Sequence, residues 1–386
     1  LSSVAWGVLG RQLADTGFNI LYLLGVWETG EAGLQKSRAV LGDDAANARS
    51  SPFAVTAYRV AATLGGDDAL RRAREALNAV GVSLMVDFVP NHVALDSEWL
   101  LEHNDWFMHG DEGKLASQPD VYFRPSDDIP SSMVLAHGRD PNFGGWTDTI
   151  QLNYWSPDTR QAMTDVLKHI TSLADGVRCD MAMLVTNGVF GRTWGRPGSV
   201  VELPEFWPAA IAACKAISPE FLFMAEVYWD MESDLQAQGF DYTYDKRLLD
   251  RLEGVDGPGV VGHLRADAGF QAKSARFIEN HDEKRAATAF GTPQVRHHFA
   301  AAVVTMTVPG LRFFHDGQLS GRRVFHSMHA AARTEEAEDA PVAGFFTRLL
   351  RALMAPAFRQ GTCFRCDVAP SDDGNPSHAA IVAHAW

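Results

Sequence analysis

The chain has 386 residues, 46% of them hydrophobic, and a mean hydropathy of −0.12, so it can bury a large core and reads as a soluble globular protein built around one large domain. Its 34 Lys and Arg against 48 Asp and Glu give a net charge of −14, with no basic block able to follow a phosphate backbone. Nucleic acid and anionic membrane are therefore not expected partners, and no run approaches the ~18 apolar residues that a membrane span needs.

Strand-like and helix-like runs alternate along the chain, the signature of parallel βαβ architecture. Arg11–Gly17 reads as the end of a helix and Asn19–Val26 as a strand. A helix follows around Asp67–Val80, with Leu70, Ala73, Leu77 and Val80 at helical spacing, and then the run SLMVDFVPNH (83–92). Residues 93–155 lack a regular period and are far longer than an ordinary βα loop, which predicts a small inserted domain. Ser156 as N-cap and Pro157 at the first helical position start a helix striped by Met163, Leu167, Ile170 and Leu173. The strand run DGVRCDMA (175–182), a helix near Pro204–Ile217 and the run FLFMAEVYW (221–229) come next. Further strands are expected at Phe240–Tyr244, in ARFIENHDE (275–283) and at Leu311–Phe314, with a closing helix at Gly344–Met354.

Seven strands in this alternation predict an α/β fold, a (β/α)8 TIM barrel whose first strand would lie upstream of Leu1. The expected organisation is barrel over 1–92, insert after the third strand over 93–155, barrel again over 156–357, and the start of a C-terminal β-domain over 358–386. The sequence opens without Met and stops at Trp386 inside the apolar run AAIVAHAW, so both ends are expected to be cut and a secretion signal cannot be judged. Four cysteines are too few for a disulfide scaffold and fit a reducing, cytoplasmic compartment. Cys363 and Cys366 have the spacing of half a zinc site or a redox pair, or are simply two thiols near a strand; no second pair completes tetrahedral ligation.

Four of the apolar runs deliver Asp87, Asp180, Glu226 and Asp282 at or beyond their C-terminal ends. A carboxylate is costly to bury unless something needs it there, so the repetition points to one active site assembled from distant sequence. Paired carboxylates perform glycosidic chemistry when one attacks the sugar and the other protonates the leaving oxygen. Arg178 lies two residues before Asp180, on the same strand face, and can hold that carboxylate ionised, as a nucleophile requires. Glu226 sits among Phe, Met, Ala, Val, Tyr and Trp, an apolar setting that suits a general acid.

In this order and spacing the runs resemble the signature regions of the α-amylase family, glycoside hydrolase family 13. Asp87-Phe-Val-Pro-Asn-His92 is similar to its first region, Gly176-Val-Arg-Cys-Asp180 to its second, Ala225-Glu226 to its third and Asn280-His281-Asp282 to its fourth. Gln151-Leu-Asn-Tyr154 resembles its fifth. The resemblance implies that Asp180 is the nucleophile, Glu226 the acid/base and Asp282 a transition-state carboxylate gripping sugar hydroxyls. It further implies that Arg178 orients Asp180, that His92 and His281 hydrogen-bond the sugar, and that Asp87 supports them. Phe53 matches a position where the family usually carries a stacking tyrosine, and either stacks on a sugar or packs in the core. Trp99, Trp106 and Trp146 either line a cleft or fill the core of the insert.

Departures accompany the matches. Met183 and Leu184 stand where many amylases carry a lysine-histidine pair facing the aglycone, and Leu319 follows Gly317-Gln318 where an acid is frequent. The resemblance also implies calcium at Asn91 with carboxylates of the insert such as Asp140 and Asp148, although the spacing forms no EF-hand-like loop and the chemistry requires no cofactor or metal. The expected activity is retaining hydrolysis of α-linked glucans or malto-oligosaccharides. The alternatives are a glucanotransferase or isomerase using the same glycosyl-enzyme, and a non-catalytic carbohydrate- or protein-binding barrel or inactive fragment.

Overall fold

All seven expected strand runs contain strands in the computed structural model, which describes residues 1–125, 133–196, 198, 203–291, 295–372 and 374–386. The chain divides into two compact units, one formed mainly by residues 18–240 and the other mainly by 241–327 and 333–386.

The first unit is built on four parallel strands: β1 (Ile20–Leu23), β2 (Ser83–Phe88), β5 (Gly176–Cys179) and β6 (Leu222–Ala225). They pair in that order, β1 with β2, β2 with β5 and β5 with β6. Two short strands, β3 (His92–Ala94) and β4 (Thr149–Gln151), form an antiparallel ribbon where the chain leaves and rejoins the sheet around the long insertion. Within that insertion, Val121, Tyr122, Val134 and Ala136 make a small core of their own.

The connecting helices follow the expected periodicity. Helix α1 (Trp6–Asp15) precedes β1. Helix α2 (Gly66–Asn78) buries Ala69, Leu70, Ala73 and Leu77 along one face. Ser156 Oγ accepts the Thr159 N–H at the start of α3 (Pro157–Thr171), whose Met163, Leu167 and Ile170 are fully buried. Helix α4 (Phe206–Ile217) buries Trp207, Ala210, Ile211 and Cys214.

The N-terminal end of the β2/β5 pair is also tied by an acid. Asp175 accepts Leu84 N–H at 2.8 Å and Arg74 Nε at 2.7 Å, a purely architectural use of a carboxylate. The strand starts are thus anchored, which fixes the register of their opposite ends.

The second unit has three parallel strands, β7 (Tyr242–Tyr244), β8 (Ser274–Arg276) and β9 (Leu311–Arg312), paired β7 with β8 and β8 with β9. Its principal helices are α5 (Lys246–Glu253), α6 (Val295–Thr307) and α7 (Ala340–Leu353). The β8 ladder stops well short of Asp282. Phe277, Ile278, Glu279 and Asn280 remain buried beyond it, with Glu279 paired to Arg285 at 2.8 Å. Two residues each from Phe364–Arg365 (β10) and His384–Ala385 (β11) form an antiparallel ribbon, with the free thiols Cys363 and Cys366 flanking β10. Among the described residues no helix is long and apolar enough to cross a membrane.

Candidate active site

Register carries the acids of the first unit to one place. Asp87 pairs with Arg178 across β2 and β5, and Cys179 pairs with Ala225 across β5 and β6. Asp180 and Glu226 are therefore the next residues beyond matched strand ends. Their main chains extend the ladder, Asp180 N–H donating to Phe88 O at 2.8 Å and Glu226 N–H to Cys179 O at 3.0 Å.

The guanidinium of Arg178 is buried between the three carboxylates. Its Nη1 lies 2.8 Å from Asp180 Oδ1 and 3.6 Å from Asp87 Oδ1, and its Nη2 lies 2.7 Å from Glu226 Oε2. Only the planar fork of arginine serves two carboxylates through two different nitrogens in this way. Asp87 is fully buried and accepts from Tyr22 Oη on Oδ1 and from Gly25 N–H on Oδ2 at 2.9 Å. Gly25 has φ +75°, and a Cβ there would stand 2.7 Å from Pro52 Cβ, so glycine is required for this donor.

Glu226 differs from its sequence-based expectation. The apolar run does bury it, but three donors meet its carboxylate: Arg178 Nη2 and Met181 N–H on Oε2, at 2.7 and 2.8 Å, and Tyr228 Oη on Oε1 at 2.8 Å. A buried carboxylate needs such partners, and hydropathy alone does not reveal them. Met181 reaches this position in the left-handed region, at φ 39° and ψ 49°.

His92 is buried, with its ring centroid 5.0 Å from that of Trp146. Burial brings the imidazole down to about 4, outweighing Asp148 and a backbone hydrogen bond with Phe53, so it is neutral near pH ~7. Phe53 is half-buried, and the Arg178 guanidinium lies 5.3 Å from its ring centroid. Asp87, Arg178, Asp180, Glu226 and Phe53 are thus linked in one cluster, with His92 joined to it through Phe53.

His281 and Asp282 belong to the second unit, where His281 Nε2 lies 3.0 Å from Asp282 Oδ2. Asn280 Oδ1 shapes the turn by accepting the N–H groups of Asp282 and Glu283 at 2.9 and 3.0 Å.

Asn91 forms a reciprocal amide pair with Gln151, its Oδ1 accepting Gln151 Nε2 at 2.9 Å while its Nδ2 donates to Gln151 Oε1 at 3.1 Å. Asp140 Oδ1 turns to the N–H groups of Asn142 and Phe143. Among the described residues no group of three or more His, Cys, Asp or Glu side chains is arranged to hold a metal.

Met183 and Leu184 are buried, so their side chains pack into the interior. Trp99 and Trp106, both half-buried, pack edge to face at 5.3 Å, whereas Trp146 meets His92. Sequence reasoning missed Tyr22, Met181 and Tyr228. Tyr228 carried a signal, because residues two apart on extended chain share a face and Glu226 is two positions back. Met181 donates through its backbone, which no side-chain pattern reports.

No family model matches the chain. Among curated proteins it is 28% identical over 274 residues to the α-amylase MalA of Haloarcula japonica, a match that covers 69% of this chain and 36% of that protein's length. Among solved structures it is similar to an α-amylase from Lactobacillus plantarum, with 22% identity, TM-score 0.64, and coverage of 94% of this chain and 78% of that one. It is also similar to the cyclic α-maltosyl-(1→6)-maltose hydrolase of Arthrobacter globiformis in complex with maltose. That match has 18% identity and TM-score 0.66 and covers 93% and 76% of the two chains. At these identities the structural likenesses show the fold, which is the TIM barrel of those enzymes.

Proposed function

We propose that this chain is a glycoside hydrolase of the α-amylase family and that it hydrolyses α-linked glucans or malto-oligosaccharides with retention of configuration. The observation that carries the reading is the bridging of Asp180 and Glu226 by the two terminal nitrogens of Arg178, at 2.8 and 2.7 Å. Sharing one guanidinium keeps the two carboxylates near each other, which supports the roughly 5–5.5 Å spacing of a retaining pair over the roughly 6.5–9.5 Å of an inverting pair.

In the proposed cycle Glu226 protonates the glycosidic oxygen as Asp180 attacks C1, giving a β-linked glycosyl-enzyme. Water then attacks C1, Glu226 takes its proton, and Asp180 departs as the carboxylate. Neutral His92 offers the sugar a hydrogen bond without adding charge, and the ring of Phe53 offers it an apolar face. Asp282 enters the reading through the sequence resemblance as the carboxylate that strengthens its hold on the sugar in the transition state. The maltose in the Arthrobacter hydrolase structure supports an α-glucan ligand.

Transfer of the same intermediate to a sugar hydroxyl is the second reading. Met183 and Leu184, which replace the family's lysine-histidine pair and pack into the interior, leave it open. Incubation with maltoheptaose, followed by NMR of the first-formed anomer, tests both. The α-anomer and shorter sugars are expected; longer or rearranged products mean transfer, and the β-anomer overturns retention. Asp180→Asn should abolish turnover, and undiminished hydrolysis by that variant would refute the assignment.

A further inference from the structure

We infer that Trp229 is the platform on which the leaving sugar stacks, the ring whose bridging oxygen takes the proton of Glu226. The inference rests on the glycosidase reading above and adds a substrate contact to it. Among the described residues Trp229 is the one exposed tryptophan, at 38%. Every other tryptophan has either a hydrogen bond from its indole N–H or a ring contact, whereas Trp229 has neither among the described residues. Exposure alone carries little weight, since single apolar side chains are common at surfaces. The backbone adds to it.

Trp229 and Asp230 stand at φ 64° and 61°, consecutive non-glycine residues in the left-handed region. A bulky side chain there is an outlier that persists only where its surroundings impose it. Here they do. Tyr228 Oη donates to Glu226 Oε1 at 2.8 Å just before the turn, and Met231 N–H returns to Tyr228 O at 3.3 Å. The short helix Glu232–Ala237 begins directly after it, with Glu232 and Leu235 buried. Among the described non-glycine residues at positive φ, Met181, Trp229 and Asp230 all follow Asp180 or Glu226 within four positions, and Val255 alone lies elsewhere. Strain of this kind gathers where a backbone shape serves a site.

Position decides which sugar the indole meets. The turn leaves the C-terminal end of β6, the end on which Glu226 stands, and three residues of chain reach at most ~11 Å from the acid. Glu226 protonates the oxygen of the departing sugar, whereas Asp180 bonds to the sugar that stays. The turn that continues from the acid is therefore set beside the departing ring, and an indole face covers the apolar C–H face of a pyranose without any charged contact. With Met183 and Leu184 packed into the interior, this ring supplies a contact on the side where many amylases carry a lysine-histidine pair.

Trp229→Asn tests the assignment, because asparagine tolerates the left-handed region and offers no ring. Its kcat/KM for maltoheptaose should fall about tenfold more than its kcat/KM for α-maltosyl fluoride, whose fluoride leaving group has no ring to stack. The same variant should melt no lower than the unmodified chain, since the bulky left-handed residue is relieved and no buried packing is lost. Trp229→Phe keeps a ring, should recover most of the difference between the two substrates, and keeps the test decisive if the Asn variant folds poorly. Equal losses on the two substrates, no loss on either, or a Phe variant as selectively impaired as the Asn one would overturn the inference. An unmodified chain that turns over neither substrate refutes the glycosidase reading itself.

Discussion

One guanidinium organises three carboxylates, and that places unusual demands on residue 178. Lysine would keep the charge but contact only one acid closely at a time, because its ammonium is a point rather than a fork. Arg178→Lys should therefore lower kcat/KM roughly hundredfold by misplacing Asp180 relative to Glu226. Steady-state kinetics beside a denaturation curve would check it, and an Arg178→Lys enzyme of near-native activity would remove the bridging role. At this scale the acids were legible because a charged residue ending an apolar run is physically expensive. Their partners were less so. Tyr22 and Tyr228 sit in runs where an aromatic ring reads as core, although in the fold their hydroxyls turn to Asp87 and Glu226.

Short parallel strands tied at their N-terminal ends present their other ends in register, and loops then complete the site. The β3/β4 ribbon adds a second kind of fastening, because Gln151 Nε2 also donates to the carbonyls of Asn91 and Leu152, at 2.8 and 3.0 Å. Gln151→Ala would take this donor from Asn91 Oδ1 and Leu152 O and should cost about 1–3 kcal/mol in urea unfolding. A chelator should leave the melting temperature of the unmodified chain where saturating calcium leaves it; a clear fall with chelator would show that a cation, not the amide pair, fastens the insertion. Helices α2, α3 and α4 were readable from their spacing because each buries one stripe. The strands β7, β8 and β9 were found but are shorter than their apolar runs, since burial continues past the last ladder hydrogen bond and hydropathy does not distinguish the two.

Among the described residues burial lowers several histidines, His92 and His298 to about 4, with nearby Arg323 adding to the effect on His298 in the second unit. Both titrate near 6.5 when unfolded, so below that value the unfolded chain binds protons that the folded one does not. Stability is therefore full above pH ~6.5 and falls as the pH drops toward ~4, with a slope approaching about 1.4 kcal/mol per pH unit for each histidine. Unfolding measured between pH ~6.5 and ~5, where most carboxylates stay ionised, should show this fall, and His298→Gln should make it shallower. An unchanged slope in that variant would contradict the assignment. The fold class was legible from alternation alone, because strand and helix periods recur in order over hundreds of residues. The division into two units was not, because it depends on contacts between distant segments that no local pattern encodes.

Met181 stands next to the proposed nucleophile yet contributes through its main chain, held in the left-handed region with its side chain half-buried. What the reaction requires of this position is a backbone shape, not a particular side chain. Residue 181 is therefore a place where the side chain beside the proposed nucleophile can be exchanged by mutation while the amide donor persists.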